Sequence, residues 1–345
     1  MIFSLILLTI VWVIPKSYIP IYEQRTQSNF LKFIASLIVV LGHQTIFYCK
    51  SSRFFITEIG DLGGLCVAFF LFMSGYGLLY GYQKRNKKLS INWLLTRIFK
   101  LTIPAITAMI LYLVIKFLCG KSIDWNEVFK WWFISDINLR YGWYVTEIIA
   151  LYLIFFICYK YINPKYSLKY LCCLIIIAMI IMIICNKPVW YIKGLPCFLI
   201  GLLFAKNENS LPYIFNKKIY SQLFITLLIF IFYILKDSYR IQNLIPSLSQ
   251  WRYIYASFYF INIIFILIIA YIITHLPICK IMKNEGRYYY EIYLVQGATL
   301  LLCRELIKTD LLFIPIGFIL TIIIAKWINK LNRVIINIML SKTLN

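Results

Sequence analysis

An all-α polytopic membrane protein, built as one bundle of spanning helices, is what this sequence predicts. Three observations carry that expectation. Of the 345 residues 62% are hydrophobic and only 14% are charged, whereas a soluble domain carries about 25% charged residues. Apolar runs near the ~20 residues a bilayer-spanning helix needs recur along the whole chain. The Lys and Arg residues sit mostly between those runs. A net charge of +22 would suggest nucleic acid in a soluble protein. Here the positive-inside rule accounts for it, so membrane lipid and not nucleic acid is the expected surrounding.

The opening run, Ile2–Ile14, is short for a span and lacks both a basic leader and a small-residue cleavage pattern. It reads as a tilted extra helix or as a segment lying in the interface. Ten spans follow: Phe30–Tyr48, Leu62–Tyr82, Ile98–Cys119, Tyr141–Ile162, Leu168–Asn186, Val189–Ala205, Ile219–Leu235, Tyr253–His275, Tyr288–Glu305 and Leu311–Lys330. No remaining stretch is long enough for a separate soluble domain, so residues 1–345 are expected to form a single domain. Within it, residues 1–28 are an N-terminal extension and 29–296 the core that bears the motifs described below.

Placing the residues before Phe30 in the cytoplasm puts the Gln83–Lys88 cluster, Arg97, Lys100, Lys160, Lys165, Lys206, Lys217, Lys280, Lys283 and Arg287 on that side. The opposite side then holds Glu58, Asp61, Asp124, Asp136, Glu305 and Asp310. Lys and Arg bias sets topology, which predicts a multi-pass protein of the cytoplasmic membrane in that orientation. The external loop Gly120–Arg140 carries clustered tryptophans that suit an interfacial segment, and Lys236–Arg252 contains Pro246. Each loop is either a plain connection or part of an acceptor site. The tyrosines 288–290 and 293 read as an interfacial aromatic belt, with base or sugar stacking as the alternative.

One span carries two residues that do not belong in hydrocarbon, Lys32 and His43. They are eleven residues apart, three helical turns, so they share a face and stand roughly 16 Å apart along the axis. An ionisable group at membrane depth is by default a functional residue facing protein or a wet cavity. The structural reading is a histidine bonded to a neighbouring helix and a snorkelling lysine. With only two histidines, His43 and His275, and no CxxC pair among ten cysteines, neither a metal cluster nor a disulfide framework is expected.

The stretch Asn29–His43, NFLKFIASLIVVLGH, resembles the opening signature of membrane acyltransferase family 3: a basic residue, ten residues, then histidine. The family's arginine is Lys32 here, which keeps the charge and loses the bidentate fork. In family order, Phe69–Tyr80 (FFLFMSGYGLLY) resembles the second signature, and Arg97, Lys100 and Pro104 resemble a basic pair before a proline. Gly142–Tyr152 (GWYVTEIIALY) and Leu195–Lys206 (LPCFLIGLLFAK) follow. Asn284–Gln296 (NEGRYYYEIYLVQ) resembles the late Gly-x-x-Ser-Tyr-x-x-Tyr-Leu-x-His segment, with Tyr289 in place of its serine and Gln296 in place of its histidine.

The resemblance implies an O-acyltransferase that takes acetyl or a similar group from cytoplasmic acyl-CoA, with acetyl-CoA as donor substrate and no bound cofactor. The acceptor it implies is a hydroxyl of a surface or lipid-linked glycan. His43 would act as general base or as an acyl-histidine carrier, with Lys32 on its face. Glu147 would orient the imidazole as triad carboxylates do, or else is a carboxyl bonded near a helix end. Arg97 and Lys100 would pair with CoA phosphates. Ser74, Tyr76, Trp143 and Tyr144 are the other candidates for substrate contact, although Ser74, Gly75 and Gly77 also suit close helix packing, and Gly75 and Gly77 would leave room for a pantetheine arm. A glycan-lipid transporter or flippase and a glycan polymerase are the competing readings; neither needs CoA.

Overall fold

The computed structural model describes residues 2–13, 18–47, 49, 62–85, 89–130, 139–211, 218–242, 251–275 and 288–343. Among them the regular elements are helices: α1 Ile2–Val13, α2 Arg25–Phe47, α3 Gly63–Lys84, α4 Ile91–Leu118, α5 Trp125–Lys130 and α6 Trp143–Tyr161. There follow α7 Pro164–Ile184, a 3₁₀ turn Val189–Tyr191, α8 Leu195–Lys206, α9 Lys218–Gln242, α10 Trp251–His275, α11 Tyr289–Leu306 and α12 Asp310–Thr343.

Local chemistry sets several of these ends. Ser90 caps α4, its Oγ accepting from the Trp93 N–H at 3.1 Å, so the helix begins seven residues before the apolar run that announces it. Asn163 receives the Lys165 N–H at 2.9 Å ahead of Pro164, whose missing donor costs nothing at the first helical position. By contrast α12 has no glycine stop and runs to Thr343, well past the expected Lys330.

Seven of the described helical segments are long and apolar enough to cross a membrane: α2, α3, α4, α6, α7, Val189–Lys206 and α12. Shorter apolar stretches occur at Ser4–Val13, Tyr220–Tyr233 and Phe260–His275. Helix α11, expected to span, is not among the seven. It carries Glu291, Arg304 and Glu305 in eighteen residues, and most of its length is buried in protein. An apolar run looks the same whether lipid or neighbouring helices surround it.

The chain packs as two compact units, and α2, α3 and α7 each contribute to both. The first comprises Met1–Lys32, Gly64–Asn86 and Met179–Gly286. Here α1 packs on α9, with Leu7 and Val11 buried and Gln222 donating to the Val11 carbonyl at 3.3 Å. The N-terminal apolar run is thus an integral helix of this unit. The following segment is tied down by Ile19 N–H on the Thr274 carbonyl at 2.7 Å and by Ile21 N–H on Glu208 at 3.2 Å. Helices α3 and α8 touch backbone to backbone: a Cβ at Gly75 would strike the Phe198 carbonyl, and one at Gly201 the Phe72 carbonyl. Small residues do bring these helices together, and Phe198 fills the space at Gly75 that was expected to be open. Gly77 faces no atom within 4 Å.

The second unit comprises Phe33–Gly63, Lys87–Ala178 and Arg287–Asn345. Its centre is α11, packed against α12 and α4. Tyr290 donates to the Leu101 carbonyl of α4 at 3.0 Å, and further along Ala298 packs on Tyr112 and Ile115, so the two helices run parallel. Thr299 and Thr321 share a hydrogen bond of 2.7 Å, and Asn329 donates to Glu291 at 2.8 Å. Residues 1, 14–17, 48, 50–61, 86–88, 131–138, 212–217, 243–250, 276–287 and 344–345 lie outside the described set, and with them the expectations for Glu58, Asp61, Trp131, Trp132, Asp136, Lys217, Pro246, Lys280, Lys283 and Arg287.

Candidate active site

His43 lies one turn before the end of α2, and its surroundings all come from the second unit. The Gln296 side chain on α11 donates through Nε2 to the Tyr293 carbonyl at 2.8 Å. A carbonyl oxygen only accepts, so this bond assigns the amide orientation and turns Gln296 Oε1 outward. That oxygen meets His43 Nδ1 at 2.9 Å. Nδ1 therefore carries the proton, and the lone pair of the neutral ring is on Nε2. Gln296 is fully buried.

The plane of the imidazole is fixed separately. Its ring stacks on Tyr141 with centroids 3.6 Å apart and planes 6° from parallel. Tyr141 has φ of +70°, a left-handed conformation that costs a non-glycine residue about 1–3 kcal/mol and persists only where the surroundings enforce it. Two contacts enforce it. The Tyr293 hydroxyl donates to the Tyr141 carbonyl at 2.7 Å. Gly297 of α11 backs the preceding residue so closely that a Cβ there would lie 2.9 Å from Arg140 Cβ and 3.1 Å from its carbonyl oxygen. The Arg140 guanidinium lies 5.4 Å from the Tyr141 ring centre.

A half-buried imidazole with an assigned tautomer and an enforced orientation has the arrangement that a general base or a nucleophile requires. The comparisons with known proteins narrow this. The family model described as an acyltransferase domain, Acyl_transf_3, matches residues 25–330. The chain belongs to membrane acyltransferase family 3. Comparison with curated proteins and with solved structures gave no match.

Within this acyltransferase, the second unit brings Trp143 and Tyr144 to the histidine's neighbourhood: Trp143 meets Tyr144 edge-on at 6.3 Å, and Tyr144 meets Tyr293 edge-on at 5.4 Å. Glu147, one turn along α6, is not joined to His43; among the described residues neither of its buried oxygens has a hydrogen-bond partner. The position beside Nδ1 is taken by Gln296 instead. Arg97 stands over the Trp93 ring at 4.9 Å and the Tyr152 ring at 5.8 Å, held half-buried, whereas Lys100 is exposed. With Leu101 level with Tyr290, Arg97 stands about 15 Å below Gln296 along the helix axes.

Three candidates lie in the first unit. Lys32 is half-buried on α2, two turns from Arg25 on the same face. Ser74 is half-buried on α3, and Tyr76 is buried beside the Glu208 carboxyl.

Tyr293 is 3% exposed and bonded inside the protein, so it does not belong to an interfacial belt. Sequence reasoning missed it as a site residue, together with Arg140 and Tyr141. The signal available was a tyrosine and a glutamine three residues apart on one helix face.

Proposed function

We propose that this acyltransferase moves an acyl group, acetyl in the simplest case, from acyl-CoA to a hydroxyl of a surface or lipid-linked glycan in the cytoplasmic membrane. The observation that carries the reading is His43, a half-buried imidazole whose Nδ1–H is held by Gln296, which makes Nε2 the basic nitrogen of the ring. In family members this histidine closes the opening signature.

In the direct mechanism the acceptor O–H adds to the thioester carbonyl carbon while Nε2 takes its proton; the C–S bond then breaks, and the thiolate recovers the proton from the imidazolium. In the two-step variant Nε2 itself takes the acyl group first. Arg97, fixed by two aromatic rings, and Lys100 are assigned to the donor's phosphates. Their distance below Gln296 suits a donor whose charged end and thioester are separated by an extended arm. The roles of Lys32, Ser74 and Tyr76 in substrate binding rest on the sequence signatures, and Trp143 and Tyr144 are assigned to the acceptor side. The sites of charge are the chain's own residues, and acyl-CoA is consumed as a substrate.

The test incubates membranes containing the full chain with labelled acetyl-CoA and compares them with His43→Ala. A loss of at least ~100-fold in label transferred to glycan is expected, the scale of general acid–base catalysis. Equal incorporation by the two proteins ends the proposal.

A further inference from the structure

One ionisable side chain of the second unit has no part in the mechanism so far. Glu147 stands on α6, and both of its carboxyl oxygens are closed off from solvent with no hydrogen-bond partner among the described residues. A carboxyl buried in that way is a standing cost to the fold, and an ionisable group kept at membrane depth is kept for function.

Contacts between three helices of this unit fix its level. Trp93 lies against Phe155 and Phe156 at 6.2 and 6.4 Å, and Arg97, one turn further along α4, stands over Tyr152 at 5.8 Å. Helices α4 and α6 therefore run antiparallel. Beside them α11 is tied to Leu101 through Tyr290 and meets Tyr144 through Tyr293. At 1.5 Å per residue, Glu147 is about 7.5 Å above Tyr152, and so above Arg97. That places it between the Tyr290 and Tyr293 layers, with Gln296 and the His43 ring about one turn beyond. The carboxyl is thus near the middle of the roughly 15 Å that separates Arg97 from Gln296. Tyr144 and Glu147 are three residues apart, neighbours on the side of α6 from which the Tyr144 ring reaches Tyr293.

The chemistry of the donor matches this order. Between its phosphates and its thioester, acyl-CoA carries a pantetheine arm that is mostly hydrocarbon, with a pair of amides near the middle. An amide taken out of water needs a partner inside the protein. A carboxyl can serve it from either end, accepting from the N–H or donating its own O–H to the carbonyl.

Resting on the acyl-CoA reading above, we propose that Glu147 is a donor-binding residue, its carboxyl hydrogen-bonding an amide of the pantetheine arm between the phosphates at Arg97 and the thioester at His43. The fold gives this carboxyl no partner of its own, and the arm completes it. The bond lies outside the proton's path. It fixes how far the arm extends, so that the thioester carbon stops at Nε2. A donor without the amides would leave the carboxyl unsatisfied, which gives the site a preference for CoA thioesters over plain alkyl thioesters.

The experiment uses the full chain purified in detergent. It measures the Kd for acetyl-CoA, the Kd for adenosine 3′,5′-bisphosphate (a charged end without an arm) and the melting temperature without ligand, alongside transfer of labelled acetyl in membranes. Glu147→Met is expected to raise the acetyl-CoA Kd about tenfold, the scale of one hydrogen bond to a buried group. The bisphosphate Kd stays within about threefold, and the melting temperature equals or exceeds that of wild type, because an unsatisfied polar end has been removed. Glu147→Gln, which keeps an acceptor and a donor, is expected to bind acetyl-CoA more tightly than Glu147→Met. An acetyl-CoA Kd for Glu147→Met within about threefold of wild type overturns the inference, even if transfer falls, since the carboxyl then serves the acceptor or the chemistry. Equal weakening of both ligands, or a lowered melting temperature, also overturns it and marks a structural residue. Wild-type protein that neither binds acetyl-CoA nor transfers label sinks the acyl-CoA reading itself; wild-type binding with an indifferent Glu147→Met sinks only the role of Glu147.

Discussion

Replacing Gln296 by methionine, close to glutamine in length and unable to accept a hydrogen bond of this kind, isolates what the bond to His43 does. Gln296 is fully buried, and the replacement leaves the His43 Nδ1–H facing an apolar side chain instead of an oxygen at 2.9 Å. A buried donor left unpaired costs about 1–3 kcal/mol. The ring relieves that cost by moving its proton to Nε2 or by turning, and either response removes the Nε2 lone pair from the acceptor. At about 1.4 kcal/mol per factor of ten, the rate of transfer falls by roughly 5- to 150-fold. The Tyr141 stack is untouched, so the plane of the ring and the fold persist. Two measurements check this. Acetyl transfer in membranes gives the rate, and ¹⁵N NMR of labelled histidine gives the tautomer; with only His43 and His275 in the chain, a His275→Asn background leaves one imidazole to observe. A transfer rate within about threefold of wild type would refute the reasoning, and the tautomer then tells whether the proton or the ring has moved.

Two further outcomes follow from the same geometry. Gly297→Ala places a Cβ 2.9 Å from Arg140 Cβ and 3.1 Å from its carbonyl, and the strained turn must shift by a few tenths of an ångström; activity is expected to fall about tenfold or more while thermal stability in detergent changes by no more than about 1–3 kcal/mol, and unchanged activity would show that the turn has no functional placement. Burial pushes the Glu208 carboxyl above its ordinary 4.5, an effect that Tyr76, the Ile21 N–H and Tyr18 offset only in part. Because the folded state then binds a proton the unfolded state has released, stability is greatest below the unfolded value and declines as pH rises through the interval up to the raised folded value. Glu208→Gln is expected to flatten that decline in melting temperatures taken between pH 4 and 8, and a slope equal to wild type would count against it.

The helices were legible in the sequence because the bilayer length and the Lys and Arg punctuation act on every span in the same way. Their ends were less so where a single side chain decides: the Ser90 cap starts α4 before its apolar run begins, and nothing stops α12 where hydropathy alone would end it. For helix α11 hydropathy alone does not tell lipid from protein, since burial against α4 and α12 selects the same residues that lipid would. At the site, His43 announced itself as an ionisable group in an apolar run. Tyr141 did not, because a left-handed turn is ordinarily signalled by glycine or asparagine, and a tyrosine there is dictated by its partners on α11. Tyr293 was hidden by its own chemistry: a ring and a hydroxyl serve an interfacial belt or a buried bond to a backbone carbonyl equally well.

The two departures from the family pattern bear differently on mechanism. Lys32 for arginine keeps a charge. Gln296 for histidine removes a titrating group from direct contact with the His43 ring and keeps an acceptor for Nδ1–H: the amide oxygen supplies it at 2.9 Å while the amide nitrogen is pinned to the Tyr293 carbonyl. Glutamine neither takes up nor releases a proton near neutral pH. On the proposed mechanism the proton leaving the acceptor hydroxyl therefore has one destination here, Nε2 of His43, and the same ring must return it to the leaving thiolate. A partner that fixes the ring's tautomer without sharing its proton makes His43 alone answerable for both halves of the transfer.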